Sequence, residues 1–89
     1  MDMDMDAIVK IIEGYKDVKV SSVSASGTKT STTITIKARI SQRQMPLVAT
    51  KIFNKYDDIH YIRFIGGWFE YVYTRRTLSY LGYNLKKVD

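Results

Sequence analysis

Apolar and polar positions follow two different periods along this chain, and the switches between them mark its elements. Ile8, Ile11, Ile12 and Tyr15 keep the i, i+3, i+4, i+7 spacing that lays one stripe along an α-helix. This predicts a helix over about 5–15. Asp4 is placed to cap it, Asp6 falls where the helix dipole favours negative charge, and Met3 and Ile8 have the spacing of a hydrophobic staple. The other reading of the Met-Asp run is a disordered acidic N-terminus over 1–5. From Val18 the period becomes two. Ile34, Ile36, Ala38 and Ile40 share one side of a half-buried strand, with Thr33, Thr35, Lys37 and Arg39 on the other. The weaker, serine-rich VKVSSVSAS precedes it, bulged between Val20 and Val23, and SGTKTS turns the two into a hairpin.

Met45, Val48, Ala49, Ile52, Phe53 and Tyr56 restore the helical period. Ser41 and Gln44 have capping-box spacing, Ile40 and Met45 are placed to staple, and Pro46 fits the first turn. IHYIRFI and WFEYVYTR then read as strands, with Gly66 and Gly67 between them expected to form a type I′ turn. Leu78, Leu81 and Leu85 predict a short final helix, weakened by Gly82.

The order is α-β-β-α-β-β with a trailing helix. Helices with one apolar stripe must bury it, so the expected fold is an α+β two-layer sandwich, a four-stranded antiparallel sheet with both long helices on one face. This order resembles a circularly permuted ferredoxin-like architecture, a likeness that carries no function. A chain of 89 residues fits one domain, 1–89.

Charge adds a direction. The formal net charge is +5, and it is uneven: five acids against Lys10 and Lys16 leave residues 1–17 at −3, and the rest of the chain carries +8. A basic body favours polyanionic partners, nucleic acid first. The absence of cysteine rules out disulfides and thiolate metal sites and fits a reducing compartment. No apolar run approaches the ~20 residues that cross a bilayer, and MDMDMD is acidic where a secretory leader is basic. The expectation is a cytoplasmic protein without a membrane partner. The Ile-, Lys- and Tyr-rich composition also suits small proteins of thermophilic microbes and their viruses.

The open sheet face is the candidate site. With the isoleucines inward, Lys37, Arg39, Tyr61 and Arg63 point outward. The last strand offers two sets, Trp68, Glu70, Val72 and Thr74 or Phe69, Tyr71, Tyr73 and Arg75. If Trp68 and Val72 pack inward, Phe69, Tyr71, Tyr73 and Arg75 join the open face, Lys19 lies near and Arg76 follows. Aromatics interleaved with cations stack unpaired bases and hold their phosphates. A homodimer is expected with this reading, and in the alternative the same surface is the tyrosine-rich interface of a homodimeric protein-interaction module or inhibitor, docking to itself or to another protein partner. Arg43, Lys51 and Lys55, or Lys86 and Lys87, are further phosphate candidates.

Catalysis is not expected. His60 is the one histidine, and Asp57 and Asp58 beside it read as cap and turn residues. The glycine pair belongs to a hairpin, not a phosphate loop, and no serine sits in a nucleophile motif. No cofactor or metal is expected.

Overall fold

The computed structural model describes residues 4–88. Helix α1, Met5–Glu13, starts where Asp4 accepts hydrogen bonds from the Asp6 and Ala7 amides, and it buries Ile8 and Ile12 completely. The Met3 half of the expected staple lies outside the described residues, as does most of the 1–5 lead-in. Strands β1, Lys19–Thr28, and β2, Ser31–Arg39, form the first hairpin. The register shifts between Val20 and Ser22, where the alternation breaks in the sequence. Gly27 has φ +100°, and a Cβ there would lie 2.0 Å from the Ser31 carbonyl oxygen, so only glycine closes this tip.

Helix α2, Met45–Lys55, is introduced by Ser41 and Gln44. The Ser41 hydroxyl accepts the Gln44 amide N–H while the Gln44 side-chain oxygen accepts that of Ser41, and Pro46 occupies the first turn. Strands β3, Tyr61–Ile65, and β4, Glu70–Tyr73, make the second hairpin, and α3, Arg75–Tyr80, follows through a Thr74–Thr77 capping box. Gly82, at φ +99°, ends α3, and the Tyr83 amide bonds the Leu78 carbonyl. The tail is held against α2 by Asn54, which bonds the Asn84 carbonyl and the Lys86 amide.

Element order, layering and the helices on one sheet face are as expected, and the α+β sandwich closes around Ile34, Ile36, Ile62 and Phe64 of the sheet with Ile8, Ile12, Ile52 and Phe53 of the helices. Strand direction is a correction. The sheet is mixed: the order is β1-β2-β3-β4, and β2 pairs with β3 in parallel. The 11 residues of α2 carry the chain back along the sheet, so β3 must run in the direction of β2. An all-antiparallel sheet would need β4 inserted between them. The inner face of β3 is Ile62 and Phe64, both 0% exposed, whereas β4 is four residues long with Val72 half exposed. The more apolar strand takes the centre and the short one the edge.

The second turn is also corrected. Ile65 pairs with Glu70, which makes Gly66–Phe69 a four-residue connection, and neither glycine has positive φ. Gly66 is required for a different reason: a Cβ on it would fall 2.2 Å from the Phe69 ring.

Candidate functional site

Facing residues in a ladder share a side of the sheet, and this decides where the candidate residues go. Thr35 faces Arg63, Thr33 faces Tyr61 and Lys37 faces Ile65, so Lys37, Tyr61 and Arg63 are on the open face, with Arg39 two residues beyond Lys37. Phe64 faces Tyr71, and Ile62 faces Tyr73. Phe69, Tyr71 and Tyr73 are therefore on the helix side, against the core, and Trp68 and Val72 are outside, contrary to expectation. Tyr73 meets Phe64 edge to face at 5.8 Å, and Phe69 lies 5.7 Å from Tyr71. Burial, with the phenols of Tyr71 and Tyr83 nearby, holds the Tyr73 hydroxyl above its ordinary pKa.

Arg75 is likewise removed from the open face. The capping box starts α3 at this point, and the Arg75 guanidinium, 3% exposed, donates to the carbonyls of Phe53, Tyr56 and Ile59 while lying 4.7 Å from the Phe53 ring. It ties the end of α2 to the start of α3. Arg76 is exposed beside it, at the opposite end of the sheet from Lys37 and Arg39. Arg63 pairs with Glu70 across β3 and β4.

What the fold does assemble is a basic end. Because β2 and β3 are parallel, their carboxyl ends lie together, and the α1–β1 link, the start of β1 and the start of α2 meet there as well. Lys19 faces Arg39 across the first hairpin. One hollow of about 550 Å³ is lined by Lys16, Arg39, Arg43 and Gln44, among others. A second, of about 600 Å³, runs from Arg39 past Lys37 to Ile65, Gly66 and Gly67. Both include Arg39 and Ile40, so the two hollows adjoin there. The Gln44 side-chain amide donates to the Lys16 carbonyl at 2.7 Å and pins that link to the start of α2.

Lys16, Lys19, Lys37, Arg39 and Arg43 are all exposed, and none has an acid within ion-pairing distance among the described residues. The acids nearby are engaged or fewer: Glu13 accepts the Val20 amide, Glu70 holds Arg63, and Asp17 lines the first hollow. The positive end of the α2 dipole points here with no acid in its first turn. Trp68, fully exposed, stands on the turn that borders the second hollow. Of the expected residues, Lys37, Arg39, Lys19 and Arg43 belong to this site. Lys16 and Trp68 are not among the expected site residues, because Lys16 lies between periodic segments and the open-face set of the last strand is the one that turns Trp68 inward. Lys10, Lys51 and Lys55 line a separate hollow between α1 and α2.

His60 is occupied structurally: its Nδ1 accepts the Thr32 amide at 3.1 Å, joining the approach to β3 to the start of β2. Among the described residues no three His, Cys, Asp or Glu side chains group as metal ligands. No helix of the described residues is long and apolar enough to cross a membrane. Compared with models of known families, with curated proteins and with solved structures, the chain matches none.

Proposed function

We propose that this is a small nucleic-acid-binding protein that performs no bond chemistry and grips DNA or RNA mainly by its phosphates at the basic end. The observation that carries the reading is that Lys16, Arg39 and Arg43 line one hollow, Lys37 and Arg39 the adjoining one, and Lys19 faces Arg39, with none of the five in an ion pair among the described residues. Unneutralised cations in a concave site raise the local potential and exchange counterions with a polyanion. Five phosphate contacts correspond to a slope of log K against log salt between about −3.5 on a single strand and about −4.5 on a duplex. Titration of labelled DNA and RNA over a salt series tests this. Binding that ignores salt contradicts it. Such a ligand and a cysteine-free chain fit the cytoplasm.

A homodimer is the second reading, and what favours it is the edge of β1. This outer strand is ten residues long, pairs on one side among the described residues and carries no charge from Val20 to Thr28. Such an edge is a template for a second copy. The tyrosine-rich face first expected to serve as an interface is turned to the helices.

A further inference from the structure

Resting on the nucleic-acid reading, we infer that the ligand of the basic end is single-stranded, with one unpaired base stacked on Trp68 while its phosphates lie on Lys37 and Arg39. Trp68 is the one tryptophan of the chain and is 100% exposed. Its exposure is built in by its neighbours. Phe69 turns inward over Gly66, the Gly66 amide bonds the Phe69 carbonyl at 3.0 Å, and the even-numbered residue between Gly67 and Phe69 is left pointing out. Gly67 has open space where a Cβ would be, so the turn beside Trp68 is open on that side.

The surroundings select the ligand. Gly66 and Gly67 line the same hollow as Lys37 and Arg39, and Lys37 faces Ile65, the residue that leads into this turn. An apolar protein anchor would meet cations at its rim, whereas a nucleotide presents a flat base to the indole and a phosphate to the cations. Stacking platforms beside basic grooves bind single strands because each base has an accessible face. In a duplex those faces are already occupied by neighbouring base pairs, so the same hollow can hold only its phosphates.

The fluorescence of the sole tryptophan reads the contact directly. The protein is titrated at low salt with single-stranded DNA, single-stranded RNA, a duplex of the same sequence, and inorganic polyphosphate, which has phosphates and no bases. The expected result is quenching by the single strands alone, with the stronger quencher distinguishing DNA from RNA. Trp68→Ala should weaken single-strand binding about 5- to 150-fold and leave duplex and polyphosphate binding unchanged. Equal quenching by duplex, or a Trp68→Ala variant that binds single strands as the parent does, overturns the inference while leaving phosphate binding intact. No binding of any polyanion overturns both readings, and capture of Trp68 by a protein partner would then be the contact to pursue.

Discussion

Arg75 and Gly66 show how much a single position decides in a domain of this size. Arg75 satisfies three carbonyls at the junction of α2, β3 and α3, so Arg75→Ala strands buried acceptors and should lower stability by about 3 kcal/mol, read as a lower urea midpoint. Nucleic-acid affinity of the folded fraction should not change, because Arg75 is far from the basic end. Gly66→Ala forces the Phe69 ring out of place and should cost about 1–2 kcal/mol. Gly67→Ala, with nothing within 4 Å of the new methyl group, should be near neutral in the same melt. Tyr73 adds a pH dependence. Its pKa is raised in the fold, so its neutral form is the one the fold favours. The associated stability is fully present below the ordinary tyrosine value of 10.0 and is lost as pH rises through the raised value. Tyr73→Phe should lose less stability than the parent protein across that alkaline range.

At the scale of elements, periodicity alone was enough for α1, β2 and α2, because each buries one face and leaves the other wet, and the bulge in β1 showed as a break in its alternation. The face of β4 was legible too, by parity. A connection of two or of four residues after Ile65 places Tyr71 and Phe69, or Tyr73 and Tyr71, opposite Ile62 and Phe64. Either way the odd-numbered aromatics turn inward. The alternation within the strand by itself leaves both sets open, and only the parity of the connection decides between them. The position of β3 beside β2 was not legible, since pattern sets the direction of a strand after a crossover helix and only competition for the centre sets its place. The exposed edge of β1 makes its own prediction. In a dimer paired there, the β1 amides that point away from β2 should exchange slowly with solvent; in a monomer they should exchange quickly.

For the molecule as a whole, the sequence carries its positive charge over most of the chain, and the fold concentrates part of it. Lys37 and Arg39 were visible as candidates because they alternate with the core residues of β2. Lys16 and Arg43 join them only because α1, β1, β2 and α2 all start or stop at one end of the sheet. Of the expected aromatic platform only Tyr61 stays on the open face, beside Thr33, Thr35 and an ion-paired Arg63, and the cations without an ion pair among the described residues gather at the end of the sheet. The most direct measurement is the salt slope of binding for the parent protein, for Arg39→Ala with Arg43→Ala, and for Arg76→Ala at the opposite end. The double variant should make the slope shallower by about 1.4–1.8, the loss of two phosphate contacts, and Arg76→Ala should leave it unchanged. Equal slopes for the parent and the double variant would show that the basic end does not hold the phosphates, and the account would fail.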